Sequence, residues 1–106
     1  MLFRSYQFAS QPAKERDRVL AVFRDYLNLC SEEKWLYDQR RIDRATWKIW
    51  VCGMRDVARF PSFREAWSLL EREYDAYKDF QEFVRVTLLA VSGIGQDNGV
   101  IPGAAR

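Results

Sequence analysis

The chain has 106 residues, of which 48% are apolar, 30% charged and 15% aromatic. This length predicts one domain of common size, and so many aromatic side chains are not typical of a disordered protein. The 17 basic and 15 acidic residues leave a net charge of +2, which by itself predicts no polyanionic partner.

The first two predicted elements are a short arm and a long helix. Residues 1–12 alternate loosely between apolar and polar side chains, which predicts an N-terminal arm. From Ala13 to Gln39 the apolar residues recur with a helical period, which predicts one broad apolar face. Those residues are Val19, Leu20, Phe23, Tyr26, Leu27, Cys30 and Tyr37. A polar break at Ser31 leaves open a division of this helix into two.

Glu33 falls on the apolar face of the first helix. A buried carboxylate needs a partner, so this position predicts an ion pair with an arginine of the second helix. The alternative is that the helix breaks near Ser31 and leaves Glu33 exposed.

The second helix is predicted from Arg44 to Ala58. Asp43 precedes it, and its carboxylate can accept hydrogen bonds from the N–H groups at a helix start. Gly53 lies inside the helix at a cost of about 1 kcal/mol relative to alanine, which favours close packing of a neighbour. Cys52, like Cys30, lies among apolar residues, which predicts two buried thiols.

The capping pattern of a polar residue followed three positions later by glutamate occurs twice more. After Ser62 it predicts a third helix, residues 63–74. After Asp79 it predicts a fourth helix, residues 80–91. Four of the five glycines follow Ser92, which predicts a flexible tail, residues 93–106, after a single domain of residues 1–92.

The expected fold is therefore all-α, a small bundle of three to five helices with a short N-terminal arm and a flexible C-terminal tail. The chain has no histidine, which removes the commonest general base and the usual zinc ligand. No glycine-rich phosphate-binding motif follows a strand pattern. The sequence therefore predicts no catalytic residue, no metal site and no cofactor, and hence a non-enzymatic protein.

The second helix has the most organised charge pattern. At about 100° per residue, four cations fall within an arc of about 60°, and we call Arg44, Lys48, Arg55 and Arg59 the basic stripe. Its functional interpretation is a surface for an acidic protein or, second, for nucleic acid. The alternative is a solvated face. With its flanking cations and the neighbouring tryptophans, the predicted partner-binding surface comprises Arg40, Arg41, Arg44, Lys48, Arg55, Arg59, Trp47 and Trp50.

The aromatic content of the chain, with four tryptophans, suggests self-association. Trp, Tyr and Arg are enriched at interaction hot spots, and a small bundle can bury an open apolar side in a symmetric dimer. The alternative is that the aromatic residues fill the core. The leading hypothesis is a protein–protein interaction module of bacterial or phage origin, in the form of a homodimer. Nucleic-acid binding is the second hypothesis.

The hydropathy of the chain predicts no membrane span and no secretory segment, because its longest apolar run is far too short. We therefore expect a cytoplasmic protein with reduced cysteines.

Between Tyr26 and Leu70 the sequence combines a leucine near a helix end, a basic turn with an Ile-Asp pair, a Trp-bearing helix, a proline and a second Trp-bearing helix. These positions are Leu36, Arg40, Arg41, Ile42, Asp43, Trp47, Pro61 and Trp67. The arrangement resembles a loose family of small bacterial helical proteins of unknown function. Many of its members carry an N-terminal membrane helix, which has no counterpart in this chain. The resemblance implies a helical fold and no activity.

Overall fold

The structure, a computed structural model, describes residues 11–90. Its helices are α1 (Ala13–Asp38), α2 (Arg44–Ala58), α3 (Pro61–Leu70) and α4 (Lys78–Phe83). A 3₁₀ turn, Glu71–Tyr74, follows α3, and a π-helical segment, Val84–Leu89, extends α4. No strand occurs in this part of the chain, so the predicted all-α bundle is confirmed. The predicted tail, and the predicted arm apart from Gln11 and Pro12, lie outside the described residues.

Helix α1 runs unbroken through Ser31, so the predicted possibility of two helices is wrong. The Ser31 hydroxyl instead donates to the Asn28 carbonyl at 2.8 Å, which satisfies the polar side chain within the helix. The predicted apolar face is confirmed. Its buried members on α1 are Val19, Phe23, Leu27 and Cys30, with Leu20, Tyr26 and Tyr37 packed at the edges of the core.

The core between the helices is largely aromatic. Phe23 of α1 meets Phe63 of α3 edge to face, with ring centroids 6.0 Å apart. Trp67 and Phe80 make a similar contact between α3 and α4 at 6.2 Å. Edge-to-face pairs of this kind contribute about 0.5–1.5 kcal/mol beyond the apolar area that they bury. Aromatic contacts therefore connect α3 both to α1, which is distant in sequence, and to the following helix α4.

One of the three predicted N-caps is present. The Thr46 N–H donates to Asp43 Oδ1 at 2.7 Å, and this hydrogen bond lowers the pKa of Asp43 below its usual range. The caps predicted at Ser62 and Asp79 are wrong. Helix α3 begins at Pro61 after Phe60, because proline suits the first turn of a helix, and Ser62 is buried inside it. Helix α4 begins at Lys78, with no capping side chain.

The outward face of α2 corrects two further predictions. A methyl group added at Gly53 would meet no atom within 4 Å, so the predicted close packing is wrong. Both cysteines are free, and Cys30 is buried as predicted, whereas Cys52 is exposed. Apolar neighbours in the sequence did not distinguish the two positions, because Cys52 lies on the side of α2 opposite to the core.

The turn between α1 and α2 holds a backbone conformation that glycine favours. Arg40 has a φ of 62°. Its N–H donates to the Tyr37 carbonyl, and the Arg41 N–H donates to the Leu36 carbonyl, each at 2.9 Å. This pair of hydrogen bonds is the Schellman motif, in which a left-handed residue ends the helix. An arginine in that conformation costs about 1–2 kcal/mol.

We expect Arg40→Gly to raise the free energy of unfolding by about 1 kcal/mol, because glycine adopts the left-handed conformation without strain. The measurement is urea denaturation followed by circular dichroism. Arg41→Gly is the matched control, since Arg41 has no positive φ, and it should not stabilise the fold. An Arg40→Gly protein less stable than the parent would contradict this account.

Candidate interaction surface

The structure places the basic stripe on the edge of α2 that adjoins the π-helical segment. Arg44, Lys48 and Arg59 are exposed, and Arg55 is half-buried. The two cations before the helix, Arg40 and Arg41, are also exposed. Within residues 11–90, neither Lys48 nor Arg59 forms an ion pair. Much of the predicted charged surface therefore faces solvent.

Arg55 differs from the other members of the stripe because it supports the end of the last helix. Its Nε donates to the Thr87 carbonyl in a long hydrogen bond of 3.4 Å. Arg64 of α3 donates through Nη2 to the Leu89 carbonyl at 3.0 Å. Carbonyls at a helix end lack partners within the helix, and arginine side chains can supply them. Arg64 was not among the predicted residues, since no pattern in the sequence connects it to the last helix.

The two tryptophans predicted beside the stripe face inward. Trp47 is only 1% exposed. Its indole stacks on the Tyr37 ring, with centroids 4.7 Å apart and planes 7° from parallel, and also contacts Phe83 at 5.6 Å. Trp50 is half-buried and packs against the core. The arrangement assigns Trp47 to the core rather than to a surface that a partner can reach.

Charge is distributed unevenly along the chain in spite of the small net charge. Residues 40–59 contain six basic and two acidic side chains, whereas residues 61–90 contain four basic and six acidic ones. The turn before α2 and α2 itself are thus the basic part of the molecule. Such a segregation favours association with an acidic surface.

Glu33 has neither of the two predicted arrangements. In the described part of the chain it forms no ion pair with an arginine of α2, and the helix around it is intact. Burial raises the pKa of Glu33 and raises the pKa of the neighbouring Cys30 to about 12. Burial, followed by the effect of Cys30, also raises the pKa of Tyr26. Burial thus favours the uncharged form of all three groups, which lie close together on α1.

The buried charge next to this cluster belongs instead to Lys34. Its ammonium group lies 2.6 Å from Asp38 Oδ2, and the two side chains are 11% and 26% exposed. It also lies 5.9 Å from the centroid of the Phe83 ring, within the range of a cation–π interaction. The pair therefore has a structural role at the contact of α1 with α4.

A surface that the sequence analysis did not identify lies on the outside of α1. Val22 is 45% exposed and Leu29 is 51% exposed, and half-buried Tyr26 lies between them. These three residues, which we call the outer seam, follow one another at spacings of four and three, as in the contact stripe of a coiled coil. The spacing was a signal in the sequence, but the wider apolar face of α1 concealed it.

No family model, curated protein or solved structure matches this chain. The resemblance over residues 26–70 therefore stays a prediction. Within residues 11–90 there is no group of His, Cys, Asp or Glu side chains suited to a metal ion. No helix in the same part of the chain is both long enough and apolar enough to cross a bilayer.

The position of Trp47 gives a test of its role. We expect Trp47→Ala to lower the free energy of unfolding by about 3–5 kcal/mol, as for other large aromatic residues in cores. Trp50→Ala, at a half-buried position, should cost about 1–2 kcal/mol. Urea denaturation measures both values. A Trp47→Ala protein of unchanged stability would contradict the core assignment.

Proposed function

We propose that this protein is a non-enzymatic helical interaction module that forms a homodimer through the outer seam of α1. The observation that supports this proposal is the half-exposure of Val22 and Leu29 on the longest helix of the fold. Neighbouring apolar side chains left open on a small domain are typical of an interaction surface. An amphipathic helix can bury such a stripe against the same stripe of a second copy.

Charged residues beside the outer seam favour an antiparallel arrangement of the two α1 helices. With Val22 opposite Leu29 of the second copy, symmetry sets Arg18 opposite Glu32 and Glu33 of that copy. Arg18 is largely exposed, and its contact with Glu15 in the same helix is long, at 3.6 Å. Arg18 is therefore available for pairs across the interface. A parallel arrangement would instead bring Glu33 against Glu33, at a cost in like-charge repulsion.

The cytoplasm is the location that we propose, for a protein of bacterial or phage origin. Cys52 is an exposed free thiol, and such a thiol is typical of a reducing compartment, where disulfides are rare.

Sedimentation equilibrium tests the dimer. We expect the parent protein to dimerise as its concentration rises. Val22→Lys combined with Leu29→Lys should weaken dimerisation by about two orders of magnitude, because buried apolar contacts are lost. Ile49→Lys is the matched control, since Ile49 is 70% exposed but lies on α2. A parent protein that is monomeric at all concentrations would overturn the proposal.

The second candidate function is binding of nucleic acid by the basic stripe. It is favoured by the six basic side chains of residues 40–59 and by the exposure of Arg44, Lys48 and Arg59. Each phosphate contact by such a cation releases counterions and makes binding depend on salt. The same surface would also suit an acidic protein. In that case the protein would show no salt-dependent binding to a DNA duplex alone.

Titration of a short DNA duplex at several salt concentrations tests this second function. Substitutions Lys48→Glu and Arg59→Glu should together lower the slope of log K against log salt by about two, one for each lost phosphate contact. Lys14→Glu, which makes the same change of charge on α1 as each of these two substitutions makes on α2, should leave the slope unchanged. The absence of salt-dependent binding by the parent protein would exclude nucleic acid as the partner.

A further inference from the structure

A groove with mixed aromatic and acidic walls lies near the C-terminal end of α1. Its volume is about 380 Å³, and it is lined by Ser31, Glu32, Trp35, Leu36 and Tyr77. This volume is at the small end of the range for ligand sites. It suits one or two inserted side chains better than a cofactor.

The groove has a wall from each of two elements. Trp35 projects from α1 and is 48% exposed, and Tyr77 precedes the first residue of α4. The Tyr77 hydroxyl is buried, so this residue contributes its ring rather than a polar group to the groove wall. The exposed indole of Trp35 is a large aromatic face that a guest could cover.

One carboxylate lies on the groove wall and another lies near it. Glu32 forms part of its lining, and Asp79 is close enough to Tyr77 to affect its ionisation. In residues 11–90 neither carboxylate forms an ion pair, while the nearby cations Lys34 and Lys78 are each paired with an aspartate. Burial, followed by the charges of Asp38 and Asp79, raises the pKa of Tyr77 to about 12. Within the described part of the chain, Glu32 therefore offers a carboxylate without an ion pair beside the aromatic walls.

We propose that this groove binds an arginine side chain of a protein partner. A guanidinium group stacks on aromatic faces and pairs with carboxylates through a planar fork of donors, and Trp35 and Glu32 offer these two partners from adjacent turns of α1. Lysine fits less well, because its ammonium group is strongly hydrated and does not stack.

This site goes beyond the proposed self-association, although Glu32 belongs to both, because Arg18 of a second copy lies opposite it in the proposed antiparallel dimer. It shares no residue with the outer seam of Val22, Tyr26 and Leu29. A dimer without arginine binding, or arginine binding by a monomer, would each separate the two proposals.

The experiment is an NMR titration of the ¹⁵N-labelled protein with a short Gly/Ser peptide that contains one arginine. The indole N–H signal of Trp35, assigned with Trp35→Phe, should shift and saturate. A peptide with citrulline in place of arginine keeps the shape and loses the charge, so it should bind about tenfold more weakly. Equal binding of the two peptides, or no saturable shift, would overturn the proposal.

Two variants keep the test specific to the groove. Glu32→Gln should weaken binding of the arginine peptide about threefold, as expected for an exposed ion pair. Asp25→Asn, an exposed carboxylate on the same helix, is the matched control and should leave binding unchanged. Trp35→Leu should abolish the shifts of the Ser31 and Leu36 amides. If the Trp35 signal still shifts with protein concentration alone when Val22→Lys and Leu29→Lys have removed the outer seam, the groove belongs to a second copy and the proposal is wrong.

Discussion

The stacking of Trp47 on Tyr37 joins the start of α2 to the end of α1, and the rest of the bundle is arranged around it. The rings lie 4.7 Å apart and almost parallel. The intervening turn is constrained at both sides, by the left-handed Arg40 and by the Asp43 cap. Phe83 brings α4 against the same indole. One large side chain thus sets the positions of three helices, and an aromatic residue suits this role because it presents several faces.

Much of the fold could be predicted because helical periodicity is a local property. The predicted limits of α2 and the predicted Asp43 cap agree with the structure, because an aspartate directly before a helical apolar pattern is a typical N-cap. The starts of α3 and α4 could not be predicted from capping residues. Pro61 competes with Ser62 for the helix start, and the packing of α4 needs no cap. The π-helical segment, Val84–Leu89, has no signature in the sequence at all.

The candidate surfaces were less predictable, because exposure depends on contacts between helices. The spacing of the basic stripe predicted that its members share one edge of α2. The neighbouring Trp47, which was predicted to belong to the same surface, is buried. Arg55 in turn donates to a carbonyl of a distant helix. On α1, the residues that the core does not cover, such as Val22 and Leu29, could be recognised only once the position of the core was known. Arginine and tryptophan side chains therefore either contact other helices or face solvent in this chain, and composition alone cannot say which residue does which.

The difference between the two thiols has a practical consequence for chemical labelling. The thiolate is the form that reacts with maleimides and iodoacetamides, and burial raises the pKa of Cys30 to about 12. Cys52 is the exposed one of the two, and it lies one helical turn after Lys48. Alkylating reagents should therefore attach at Cys52 and spare the core without any engineered cysteine. A fluorophore at that position would report directly on the occupancy of the basic stripe.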